Sequence, residues 1–140
     1  MRGILADHNN EGHVSLLMAG LQSETWQGLW AHLNLPLLSF ADLGLTPDST
    51  DAVVWEACQR EDVLLITINR NARGPDSLEM TIRQRNAPHH LPVITLADAD
   101  RLLHDRAYLT RAVERLLEFL VDIDSYRGAG RLYVPSDCER

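Results

Sequence analysis

Five short apolar runs are spaced along the chain, and the longer stretches between them carry helical or turn patterns. Ile4-Leu5-Ala6, closed by Asp7, predicts a short buried strand, and His8-Asn9-Asn10-Glu11-Gly12 predicts the loop that leads into a helix. Val14, Leu17, Met18 and Leu21 recur at i, i+3, i+4 and i+7, so residues 13–22 read as a helix with one apolar face. Ser23 is placed to cap a second helix, Glu24 to Leu33, on which Trp26 and Trp30 share a face suited to core or subunit contact. Leu35 to Phe40 predicts the second strand, with Pro36 near its start, where a missing donor is tolerated.

Turn formers and caps from Asp42 to Thr50 deliver the chain into a helix over Asp51 to about Arg60. Val63 to Asn69 is an unbroken aliphatic and β-branched run, the pattern of a parallel strand covered on both faces. A polar loop over residues 70–77 precedes a helix from about Asp76 to Asn86, with Leu78 and Ile82 inward and Pro88 beyond its end. Leu91 to Leu96 is the next strand. Asp98 then caps one long helix bearing Leu102, Leu109, Val113, Leu116, Leu117 and Leu120, and Arg131 to Val134 is the last strand. Strands alternating with helices, without a repeat or linker, predict one domain over residues 1–140. The fold class is a three-layer α/β/α sandwich whose mostly parallel sheet of about five strands is joined by right-handed crossovers.

Composition narrows this reading without redirecting it. A chain of 140 residues buries roughly 68% of its unfolded surface, enough for a sizeable core. No apolar run approaches the roughly 20 residues that cross a bilayer, and the apolar run before Asp7 is too short for a signal peptide. Cys58 and Cys138 lie far apart with no C-x-x-C spacing, so they offer neither a zinc site nor a disulfide framework and suit a reducing compartment; a cytoplasmic protein without membrane contact is expected. Thirteen Lys plus Arg against 20 Asp plus Glu give a net charge of −7, so any contact with nucleic acid is local.

Candidate chemistry follows from the fold, because open α/β sheets bind ligands outside the carboxyl ends of their strands. The first strand delivers Asp7, with Asn9 and Glu11 close behind; the third delivers Thr67 and Asn69; neighbouring loops and helix starts supply Asp51, Asp76 and Glu79. Carboxylates that converge repel one another unless a cation neutralises them, and an oxygen-rich set suits Mg²⁺ or Mn²⁺. Such an ion activates water and holds a phosphodiester, the chemistry of metal-dependent nucleases. The same acids also serve as helix caps and solvated turns, for which Asp48, Asp51 and Asp98 are well placed.

The order Ile4-Leu5-Ala6-Asp7-His8-Asn9, then Asp42-Leu43-Gly44-Leu45 through Ser49-Thr50-Asp51, then Leu64-Leu65-Ile66-Thr67-Ile68-Asn69 resembles the PIN-like nuclease superfamily, especially its short toxin-type branch, over roughly residues 2 to 97. The resemblance implies metal-binding roles for Asp7 and Asp51 and a Thr-x-Asp at the end of the central strand, where this chain has Thr67-Ile68-Asn69. It also implies cleavage of single-stranded RNA with Mg²⁺ or Mn²⁺, with an antitoxin protein as partner. Asn69 keeps an amide oxygen for the metal but no charge, and Asn71 stands where a further acid is common, so Asp76 or Glu79 is the substitute ligand this sequence offers.

Lesser candidates are His8, adjacent to Asp7, and the arginines Arg70, Arg73, Arg83 and Arg85, which would make a local basic patch. His89-His90 are neighbours whose side chains diverge in an extended segment, which argues for a surface loop over a metal pair. Two rivals accompany the nuclease. One is a non-catalytic interaction protein, in which the tryptophan-bearing or leucine-rich helix forms a homodimer or binds a partner. The other is a receiver-like or flavodoxin-like domain, which predicts paired acids at the end of the first strand and a late lysine; this sequence has a single acid there and no lysine.

Overall fold

The computed structural model describes residues 1–69 and 73–135. Arg70, Asn71 and Cys138, which the sequence reading singled out, lie outside the described residues. Five strands form one sheet: β1 (Gly3–Ala6), β2 (Leu37–Leu38), β3 (Val63–Thr67), β4 (Val93–Leu96) and β5 (Arg131–Val134). Their order is β2-β1-β3-β4-β5, every pair is parallel, and Ile4 and Ala6 stand opposite Leu64 and Ile66 in the central pair. Strands β1, β3 and β4 are buried on both faces, which is why each reads as an apolar run rather than an alternation.

Helices α1 (Glu11–Leu21) and α2 (Gln27–Leu33) lead from β1 to β2; α3 (Asp51–Glu61) leads to β3 and α4 (Leu78–Arg85) to β4; α5 (Ala99–His104) and α6 (Arg106–Val121) lead to β5. Successive strand residues feed opposite layers. Ile4, Leu64, Ile66 and Ile94 pack with α1, α5 and α6, whereas Leu5, Val63, Leu65 and Val93 pack with α3 and α4. No helix among the described residues is long and apolar enough to cross a membrane.

One connection departs from the expected handedness. The chain moves one way from β1 to β2 over the α1 face, returns past β1 to β3 and on to β4 over the α3 face, then continues in that second direction to β5 over the α1 face. Direction and face together set the hand of a crossover, so the last one is opposite to the other three. The usual bias arises where a strand feeds directly into a single helix that packs back on the sheet. Two helices alone do not reverse the hand, since α1 and α2 also intervene between β1 and β2; here α6 is drawn to α1 by a long buried stripe from Tyr108 to Leu120. Gly20 of α1 permits the approach: a Cβ there would stand 2.5 Å from Val113 Cγ2.

Other element boundaries shift for local reasons. The long helix expected after Asp98 is two, because Asp105 is extended and its carboxylate accepts from Tyr108 N at 3.1 Å, ending α5 and capping α6. Asp98 caps the shorter first piece. The second helix begins at Gln27 rather than Glu24, since Ser23 closes a turn through its carbonyl instead of capping. Thr50, not Asp48, caps α3; Asp48 accepts the Thr46 hydroxyl.

Candidate functional site

Where the sheet order reverses between β1 and β3, a cleft of about 420 Å³ opens beyond the carboxyl ends of the strands. An order of 2-1-3-4-5 is that of flavodoxin-like sheets, and its switch point lies between these two strands. Uniformly right-handed connections would carry the last crossover over the α3 face, and β1 here ends in one acid rather than two, so the likeness is confined to strand order.

Asp7 extends the pairing of β1 by one residue, its N–H donating to Ile66 O at 3.0 Å. Its carboxylate is held on both oxygens: Oδ1 accepts from His8 N at 2.8 Å and Oδ2 from the Thr67 hydroxyl at 2.7 Å. Thr67 is fully buried at the end of β3, and its Oγ1 in turn accepts from Asn69 N at 2.9 Å. The amide Nδ2 of Asn69 donates to Asp51 Oδ2 at 2.9 Å, and that same oxygen accepts from Leu78 N at 3.1 Å. Asp51 thus stands in the first turn of α3 while its side chain satisfies one of the amide groups exposed at the start of α4.

Asp7, Thr67, Asn69 and Asp51 therefore form one continuous hydrogen-bonded chain that links β1, β3 and α3 and ends on α4. Three of the four, Asp7, Asn69 and Asp51, line the cleft, with Phe40, Pro47 and Ile68 among its apolar walls. Both carboxylates are fixed by neutral donors, and no arginine is among the described residues of its lining. His8 lines the cleft as well, its ring centroid 6.0 Å from that of Phe40.

Asp76 and Glu79 are not brought there. Asp76 is exposed in the turn before Ser77, which takes the cap of α4. Glu79 faces Arg131 at 3.0 Å and Arg83 at 3.1 Å, so its carboxylate has cations of its own. Arg83 and Arg85 are ion-paired with Glu79 and Glu56. His90 accepts from Ala87 N through Nδ1 and sets its ring edge-on to Trp55, 5.0 Å between centroids, while the His89 ring lies beside it at 4.3 Å. The two histidines thus belong to the packing of the loop before β4. Among the described residues, no three His, Cys, Asp or Glu side chains converge on a point that would hold a metal ion.

Two positioning residues escaped the sequence reading. Asn10 is 1% exposed and donates through Nδ2 to Ile66 O at 3.1 Å, the carbonyl that also receives Asp7 N; it ties the first turn after β1 to β3. Arg131, 8% exposed at the side chain, donates to Asn69 O at 2.8 Å and Thr95 Oγ1 at 2.6 Å besides Glu79. An arginine opening a short, mostly half-buried strand was the available signal; Asn10 carried none. Cys58 of α3 is chemically quiet: burial first, and the negative charge of Asp7 second, push its thiol up to about 12.

No family model, curated protein or solved structure matches this chain.

Proposed function

We propose that the protein is a divalent-cation-dependent endoribonuclease of PIN-like type, acting in the cytoplasm on single-stranded RNA as the toxin of a toxin–antitoxin pair. The observation that carries this reading is that residues far apart in sequence, Asp7 and Asp51, present carboxylates to one cleft at the switch point of the sheet. Two carboxylates and an amide suit Mg²⁺ or Mn²⁺, which bind through one or two acids and complete their shell with water and substrate phosphate. Asp7 and Asp51 would hold the ion, with the Asn69 amide beside them, and it would supply the charge that activates water and stabilises the phosphodiester as the bond breaks.

The chain's own residues organise the rest. Thr67 and the His8 amide orient Asp7 through separate oxygens, and Leu78 N and Asn69 Nδ2 converge on a single oxygen of Asp51. Fixed carboxylates need no reorganisation when a ligand arrives, the property on which electrostatic catalysis depends. The apolar wall of Phe40, Pro47 and Ile68 gives an unstacked base a surface, which a paired strand does not offer.

A second reading has its own observation. Asn69 acts as a donor to Asp51, which lowers the need for a cation, and a protein that keeps this fold for partner binding alone would show that arrangement. Incubation of labelled single-stranded RNA with the protein and millimolar Mn²⁺, in parallel with thermal unfolding with and without Mn²⁺, separates the two. The nuclease predicts cleavage lost in Asp7→Ala and a melting temperature raised by the ion, since a ligand of the folded state stabilises by RT ln(1 + [L]/Kd). Undiminished cleavage by Asp7→Ala sinks the assignment; neither cleavage nor stabilisation in the parent leaves the binding protein.

A further inference from the structure

Between the turn and helix at residues 23–33 and the outer side of α6 lies an apolar groove that the cleft chemistry does not use. Two adjoining hollows of about 370 and 330 Å³ share Trp26 and Glu114. Along α6 the groove follows Leu109, Val113, Leu117 and Val121, a seam at every fourth residue that spans about 18 Å at 1.5 Å per residue. Leu29 and Val121 are 38% and 54% exposed, unusual for large aliphatic side chains placed so close together. Among the described residues, the charged ones that line it are Glu114 and Glu118. Arg115, the cation nearest in sequence, pairs with Glu118 and lies over the Phe119 ring, and it does not line the groove.

We propose that this groove receives an amphipathic helix of a partner protein, about three turns long, with an apolar stripe at i, i+3 or i+4, and i+7 flanked by Arg or Lys. The length follows from the seam, since three helical turns span about 16 Å. The stripe follows from the helix-in-groove mode, in which spaced apolar anchors fill successive hollows. The basic flanks follow chiefly from Glu114, exposed at the rim where both hollows meet, with Glu118 adding less because Arg115 already pairs with it; both acids penalise negative charge there. The same acids disfavour the other occupants. A second copy packed about a two-fold axis would bring both Glu pairs together on chains of net charge −7, and an anionic lipid surface would be repelled. Residues 70–72 and 136–140 of this chain carry no large apolar side chain with which to fill the groove themselves.

The test is a display library of 14-residue helical peptides with a fixed apolar stripe and randomised flanking positions, selected against the full chain and against Leu29→Glu/Val121→Glu. Both substituted positions are exposed, so the variant should fold, which circular dichroism verifies. Selected peptides should be enriched in Arg and Lys and bind the variant at least about tenfold more weakly, a loss of roughly 1.4 kcal/mol. Glu114→Lys/Glu118→Lys should reverse the flanking preference. Neutral or acidic flanks, or equal enrichment on the parent and the groove variant, overturns the proposal. A parent dimer that Val121→Glu converts to monomer in sedimentation assigns the groove to a second copy instead.

Discussion

The two ends of the sheet fix Asp62 and the two cleft acids in opposite ways. At the amino end of the strands Asp62, in the left-handed conformation that closes α3, meets Arg127 through both oxygens at 3.1 and 3.3 Å and the α-ammonium of Met1 at 3.0 Å. Arg127 continues to Asp124 and to His89 O, and Gln59 clamps Leu91 through both its amide atoms. The arginine bonds and adjacent cations hold the Asp62 carboxyl below the usual carboxylate range. At the carboxyl end Asp7 and Asp51 receive a hydroxyl, backbone amides and a side-chain amide. Neutral donors fix a carboxylate in place but leave its charge uncancelled, so among the described residues the amino end is a charge-paired knot and the carboxyl end presents two unpaired carboxylates to a cleft.

The sharpest way to break this contrast is to remove one acid from each end. Under the proposed function Asp7→Ala should cut Mn²⁺-dependent RNA cleavage more than about 100-fold, beyond the 10- to 100-fold typical of groups that only support a metal ligand. Asp62→Asn should leave the cleavage rate per folded molecule unchanged. Single-turnover assays on both variants, corrected for folded fraction, decide the matter, and equal losses would abolish the distinction.

Next in size is Arg131→Met. The guanidinium is 8% exposed and its removal strips Glu79, Asn69 O and Thr95 Oγ1 of a donor at once. Breaking a buried pair from one side costs about 3 kcal/mol, and the 27% exposure of Glu79 places this variant toward the lower part of the range. Urea unfolding should show the loss, with Glu79→Gln smaller because the arginine keeps its other acceptors. Arg127→Ala at the amino end should cost no more than about 1 kcal/mol, since Asp62 is 45% exposed and water screens the pair.

These sizes also mark what a linear sequence conveys. The alternation of apolar runs with helical spacing was enough for an α/β sandwich with a parallel sheet, and a polar residue closing the run Ile4-Leu5-Ala6 put Asp7 at a strand end. Asp51 was legible because the turn-rich segment before it has to open a helix. The bond from Asn69 to Asp51, the reach of Arg131 to Glu79 and the face chosen by the last crossover were not legible. Each depends on which distant segment lies alongside, and local periodicity is silent about that. Asp76 and Glu79 were offered as ligands on proximity in sequence, and the competition that removed Glu79 came from a strand 52 positions away.

Acid should separate the two ends in a last and smaller way. Burial, then the neighbouring His89, holds the His90 imidazole below its usual 6.5, and Ala87 N donates to a Nδ1 that must lack a proton. As pH falls through 6.5 the unfolded chain takes up a proton that the folded chain refuses, so the contribution of His90 to stability is full above 6.5 and declines below it. The depressed carboxyl of Asp62 acts with the same sign in a lower window: its contribution is present above 3.8 and is lost as pH falls further. Stability measured against pH should therefore decline in two stages, the upper from His90 at the amino end and the lower shared by Asp62 with the similarly depressed carboxyls of Asp42, Asp48 and Asp105. His90→Asn, whose amide oxygen can still accept from Ala87 N, should flatten the upper stage, and Asp62→Asn should reduce the lower without abolishing it. If both variants retain the parent's profile, the acid sensitivity originates elsewhere, and the amino end is not the charge-paired knot that the contrast with the cleft requires.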